Sequence, residues 1–104
     1  MLKPGVRLLG IRPELVVAII VARDIWSKHN APFVITSCVD GTHTRASKHY
    51  TGCAVDLRTH GLTNPAGAVR DLQTALGLDF DVIHEGPGTP QEHIHLEWDP
   101  KDPV

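Results

Sequence analysis

Two rhythms of apolar and polar positions alternate along this chain, and the switches between them mark six elements. The first opens at Pro13, a residue suited to a first helical turn, and contains the apolar stretch Leu15 to Ala22. It runs to about His29, where Asn30 and Pro32 act as stops, and predicts a core helix. Phe33–Val34–Ile35–Thr36–Ser37 is β-branched and aromatic and predicts a strand. A polar loop containing Asp40–Gly41 follows, from Cys38 to about Tyr50. Cys53–Ala54–Val55–Asp56–Leu57–Arg58 is short and alternating, hence a second strand. Asn64 reads as an N-cap with Pro65 at the first helical position. Ala66, Val69, Leu72 and Leu76 then recur at helical spacing until Gly77 ends the helix. Phe80 to His84 predicts a third strand, Gly86 to Pro90 a turn, and His93 to Trp98 a fourth strand. The order α-β-β-α-β-β, with short late connections, predicts an α+β fold: a small, mainly antiparallel sheet packed with two main helices.

At 104 residues, with no repeat or internal linker, the chain has room for one domain, 1–104. A domain of this size has little stability to spare, so a bound metal would matter to its folding as well. The net charge of −2 carries no polyanion-binding signature, and nucleic acid is not an expected partner. The run Leu15 to Ala22 is far short of the roughly 20 residues needed to span a bilayer. Pro13 and Glu14 before it, Arg23 and Asp24 after it, and the lack of a small-residue cleavage site also argue against a signal peptide. Without an export signal, Cys38 and Cys53 are expected as reduced thiols. Seven histidines exceed what a chain this short usually carries, which is the first hint of metal chemistry.

The chemistry concentrates in two segments. In Ser47–Lys48–His49–Tyr50–Thr51–Gly52–Cys53–Ala54–Val55–Asp56, His49 precedes the second strand and Asp56 lies within it. Side chains alternate along a strand, so Asp56 shares a face with Ala54 and Arg58, while Cys53, Val55 and Leu57 point the other way. Ala54 leaves room above that face, and Gly52 allows a sharp turn between His49 and the strand. An imidazole and a carboxylate brought to one point are good zinc ligands. In Glu92–His93–Ile94–His95–Leu96–Glu97–Trp98, the apolar Ile94, Leu96 and Trp98 share the core face, and His93, His95 and Glu97 share the other. One of the two histidines is expected to hold the ion and the other to reach a bound water or a substrate oxygen. Three protein ligands leave the fourth zinc position open, as hydrolysis requires. Glu92, at the mouth of the strand, is placed to take the water's proton.

Ser47–x–His49–x–x–Gly52–x–Ala54–x–Asp56, followed about 36 residues later by Glu92–x–x–His95, resembles the zinc peptidases of the D-alanyl-D-alanine carboxypeptidase type. That group includes phage endolysins that cut the L-alanyl-D-glutamate bond of peptidoglycan. The resemblance spans roughly Thr36 to Pro100 and implies the fold shared by these peptidases and the hedgehog domain. It also implies Zn2+ held by His49, Asp56 and His95, with Glu92 as general base. His93–x–His95 is similar to the HxH of related zinc endopeptidases, whose first histidine assists catalysis, so His93 competes with Glu92 for the base role. Glu85, closing the third strand, is a third claimant. The family's substrate-gripping Arg sits in an upstream segment that reads Ser37–Cys38–Val39–Asp40–Gly41 here. Arg45 is the nearest candidate, and Ser47 and Thr36 are further candidates for substrate contact. The implied function is hydrolysis of peptide bonds in peptidoglycan stem peptides, by a carboxypeptidase or endopeptidase. A monomer is expected, cytoplasmic until released or acting at the cell wall.

Two other classes compete: a zinc-binding interaction module of the same fold without catalysis, and a metal-dependent nuclease using the His/Asp cluster. The acidic charge balance counts against the nuclease. His84, on the Phe80 and Val82 face, is expected as a packing histidine, and Cys53 as a small core residue. His29, His43 and His60 are expected at the surface. Ser47 beside His49 lacks an orienting acid and makes a poor catalytic triad.

Overall fold

Both helices start at a proline placed where a missing N–H costs nothing. In the computed structural model, which describes residues 1–38 and 53–100, α1 spans Pro13–Lys28 and α2 spans Pro65–Leu76. Four strands, β1 (Ile35–Ser37), β2 (Ala54–Arg58), β3 (Phe80–Glu85) and β4 (His93–Trp98), pair in the order β1-β2-β4-β3. Every strand pair is antiparallel, so the fold is α+β with a small antiparallel sheet and two helices. No helix among the described residues is long and apolar enough to cross a membrane.

α1 buries Leu15, Ala18, Ala22, Ile25 and Trp26, a stripe at helical spacing, against the sheet. It ends where His29 donates its N–H to Ile25 and Trp26 carbonyls, and Asn30 adopts φ 56°, a left-handed turn that asparagine tolerates. α2 is capped by Asn64, whose Oδ1 accepts from Gly67 N–H at 3.0 Å. A Cβ on Gly67 would run into that same side-chain amide, so the cap requires glycine here. The face α2 buries carries Gly67, Ala68 and Leu72, with Val69 and Leu76 packed at its margin; Ala66, expected on that face, is exposed. Two residues from Ala68 on a helix of 3.6 residues per turn lies on the far side.

The core is the space between the helices and one face of the sheet. Val55, Leu57, Ile94 and Leu96 point into it and are fully buried. Each such side chain contributes about 1.5–3 kcal/mol by leaving water. Trp98 lies only partly in this core and holds the Arg12 guanidinium 5.4 Å from its ring centroid.

Two strand boundaries differ from the pattern-based expectation. β2 begins at Ala54 and leaves Cys53 outside; Cys53 is half-buried and Cys38 fully buried, both as free thiols. β1 is shorter than Phe33–Ser37: its paired residues run only from Ile35 to Ser37, with a bulge between them. Phe33 turns instead onto Trp26, edge to face at 5.8 Å. On its outer side Ile35 meets the N-terminal segment, with Lys3 N–H donating to Ile35 C=O and Ile35 N–H to Met1 C=O. This parallel bridge carries Lys3 to the end of the sheet where β2 finishes.

Candidate functional site

The face of the sheet opposite the helices is polar, and the strand register lays its residues out in rows. Arg58 of β2 lies across from His93 of β4, Asp56 from His95, and Ala54 from Glu97. On the other side of β4, Glu85 of β3 lies across from His93, Ile83 from His95 and Asp81 from Glu97. The backbone here is anchored from behind, where the Trp26 indole N–H donates to the Arg58 carbonyl at 3.1 Å. The β3–β4 turn is set by Gly86 at φ 61°, with Thr89 N–H and Oγ1 both donating to its carbonyl.

Asp56 and His95 meet in the middle row. Asp56 Oδ1 lies 3.0 Å from His95 Nδ1 and 3.7 Å from His93 Nε2. Glu85 Oε1 lies 3.2 Å from His93 Nε2 and 3.9 Å from His95 Nδ1. Glu97 completes the group, with Oε1 3.0 Å from His95 Nε2. Burial by itself lowers the His95 pKa. The hydrogen bonds to Asp56 and Glu97, and the charges of the same carboxylates, outweigh it and raise the value from 6.5 to about 9.

The donor set suits a cation. His93 Nδ1 is committed to the Gln91 carbonyl at 2.7 Å, so its Nε2 is the nitrogen that meets Glu85 and Asp56. Both nitrogens of His95 also face carboxylates. Three carboxylates around two imidazoles call for a proton or a metal ion between them. Ligand atoms 2.0–2.2 Å from a tetrahedral zinc are about 3.3–3.6 Å from one another. The 3.0 Å between Asp56 and His95 and the 3.7 Å from Asp56 to His93 bracket that spacing. With His95 Nε2 turned to Glu97, Nδ1 is the nitrogen that would face a metal held with Asp56, and Glu97 orients the ring. Three ligand atoms all within 4.8 Å of one another occur, among the described residues, only at Asp81, Glu97 and Asp99, at the other end of the strip. A zinc at Asp56 and His95 therefore needs a further ligand.

The sequence-derived candidates fare differently. Asp56, His93 and His95 are brought together. Thr36 joins them, its hydroxyl donating to the Asp56 carbonyl at 3.4 Å. Glu92 lines the same cleft as Asp56 and His93, but its carboxylate is engaged by His84, with Oε2 2.6 Å from His84 Nε2. Glu92 shares the alternation of Ile94 and Leu96, and His84 that of Phe80 and Val82, so the two meet at the edge of the core face. His84 is thus half-buried as expected, but as the partner of Glu92. Glu85, the third claimant to the base role, lies beside His93, with Oε1 3.2 Å from its Nε2. His29 is an inter-helix tie, 2.8 Å from Asp71, and not a free surface residue. His49, Ser47, Arg45 and His43 lie outside the described residues.

An open cleft of about 750 Å3 runs along this end of the strip. Asp56 and His93 line its floor, and Thr89, Pro90 and Gln91 of the β3–β4 turn form one wall. Lys3, Arg58 and His60 line it as well. The sequence reading gave no role to Glu97, Arg58 or Lys3. Strand alternation already placed Glu97 and Arg58 on the site face; Lys3 arrives through a single bridge that leaves no periodic signal. Comparisons with protein-family models, with curated proteins and with solved structures find no match to this chain.

Proposed function

We propose that this chain is a zinc-dependent peptidase acting on peptides of the peptidoglycan stem type. The observation that carries the reading is the Asp56–His95 pair, 3.0 Å apart across β2 and β4, with His93 and Glu85 beside it and a cleft opening onto it. The sequence resemblance supplies the substrate class and His49 as the remaining ligand. Asp56 and His95 would hold the ion, and Glu97 would keep the His95 ring in orientation. Zinc, when bound, lowers the pKa of a water molecule and polarises a carbonyl. Glu85, with Oε1 3.2 Å from His93 Nε2, would accept the proton of the attacking water and return it to the leaving amine, with His93 as its hydrogen-bond partner. Glu92, engaged by His84, holds the start of β4 in place.

Metal analysis of the purified chain, with lysis of bacterial walls measured before and after chelation, tests this. The expected result is one zinc per chain, lysis lost on chelation and lysis restored by added zinc. Zinc retained without lysis of any wall type would leave a zinc-binding interaction module and remove the enzyme.

A further inference from the structure

We propose that the outer face of α1 joins two copies of this chain, which pack α1 against α1 as an antiparallel two-fold pair. The inference stands apart from the peptidase reading, because α1 lies behind the sheet and the cleft in front of it.

α1 is apolar on both sides. The eight residues Leu15 to Ala22 are all apolar, yet the core takes only one stripe of them, Leu15, Ala18 and Ala22. Val16, Val17 and Ile20 fall on the opposite side and are 41%, 61% and 53% exposed. Their spacing makes them neighbours on the helix surface, so they form one contiguous patch rather than scattered side chains. Helix formation does not call for them: β-branched residues are weaker helix formers than the Ala, Glu or Lys that suit a solvent face. A helix apolar all round belongs in a covered position, and none of the described residues covers this side.

This face complements its own antiparallel copy in charge and in shape. Glu14 is in the first turn of α1 and Lys28 in the last. The steps between them, at 100° each, leave the two within about 40° of one another around the helix, on one flank. Antiparallel pairing about Val21 sets Glu14 of each copy beside Lys28 of the other. It also lays the positive N-terminus of each helix along the negative C-terminus of its mate. A parallel pair would set Glu14 against Glu14. In shape, the ridge of Val16 and Val17 in the first half of the face has a counterpart in the second half. There an open hollow of about 540 Å3 is lined by Ile20, Val21, Arg23, Asp24 and Ser27. The same two-fold axis seats the valines of each copy in the hollow of the other. The pairs within one helix, Lys28 with Asp24 at 3.3 Å and Arg12 with Glu14 at 3.8 Å, are exposed and leave room for a second partner. The β-branched side chains have few rotamers to lose on burial. The patch is small, so the pair is weak, with a Kd of roughly 1–100 µM. In place of the monomer expected from the sequence, two chains then stand back to back with their clefts facing outward.

Sedimentation velocity on the full chain, with zinc and with chelator, tests this. The mass should rise from 11.4 kDa towards twice that as the concentration approaches about 1 mM. Ile20→Asp should hold it at the single-chain mass, with zinc content and the melting temperature of the dilute protein unchanged. Glu14→Lys and Lys28→Glu should each weaken pairing by about 10-fold, as two attractions become two repulsions. An equimolar mixture of those two variants should pair as tightly as the unaltered chain, because every contact in the mixed pair again joins opposite charges. A single-chain mass at every concentration overturns the proposal, and so does pairing that Ile20→Asp leaves intact. Co-sedimentation with anionic phospholipid vesicles by a chain that never pairs also overturns it and makes the patch a lipid contact. Pairing without zinc or hydrolysis removes the peptidase and leaves the pair standing.

Discussion

His95 has a carboxylate on each ring nitrogen, Asp56 on Nδ1 and Glu97 on Nε2, both at 3.0 Å. With the folded pKa raised to about 9 from 6.5, the protonated ring contributes stability that is complete below pH 6.5 and is lost as pH rises through about 9. The metal-free chain should therefore lose up to about 3 kcal/mol of unfolding free energy across that window. Urea denaturation midpoints in a chelating buffer measure it, and Glu97→Gln should flatten the profile. The same proton competes with zinc for Nδ1, so zinc affinity should climb with pH over the same range, with proton release seen as buffer-dependent binding enthalpy. A second residue-scale prediction separates the acids. Glu85→Gln should lower kcat by about 100-fold or more while zinc content holds, the usual cost of disturbing proton transfer. Glu92→Gln should leave kcat within a few-fold and loosen the β3–β4 hairpin. The opposite pattern would return the base role to Glu92. Its place at the mouth of the strand and the Glu92–x–x–His95 resemblance made Glu92 a candidate. Glu92 lies just before β4, and the β3–β4 register brings its carboxylate to His84.

β4 shows how one element serves both core and chemistry. Its even positions, Ile94 and Leu96, are fully buried, and its odd positions, His93, His95 and Glu97, face the cleft side. Ile94→Ala should destabilise by about 2–5 kcal/mol, because it opens a cavity between sheet and helices. Asn64→Ala, which removes the α2 cap, should cost about 1 kcal/mol and leave zinc binding unchanged. Thermal melts of the zinc-free chain rank the two. This division of faces was legible in the sequence because period-2 alternation is a local signal. So were both helix starts, each written as a proline at the first turn. The short β1 was not legible. It carries the bulge and the bridge from Leu2 to Ile35, which depend on a partner segment far away in the chain. The arrival of Lys3 in the cleft was hidden for the same reason, and so was the His84–Glu92 pair, which only the hairpin register brings together.

At the scale of the whole molecule, helices cover one face of a single small sheet and leave the other for the site, so core and site share a backbone but no side chains. Removing core volume and removing ligands should then have separable effects. Asp56, Glu85 and Glu97 crowd two imidazoles on the half-buried other face, and a bound cation would relieve that crowding. Zinc at about 100 times its Kd should add about 2.7 kcal/mol to the folded state, a rise of several degrees in Tm for a domain of this size. Leu72→Ala, on the helix behind the sheet, should lower Tm with and without zinc and keep that rise intact. Asp56→Ala should also lower the metal-free Tm, because it takes the Nδ1 partner from the protonated His95 ring, but unlike Leu72→Ala it should abolish the rise on adding zinc. Calorimetric scans of the three proteins, each with chelator and with zinc, give the comparison. A zinc-induced rise that survives Asp56→Ala would place the ion elsewhere on the chain, with the acidic trio of Asp81, Glu97 and Asp99 as the next position to alter.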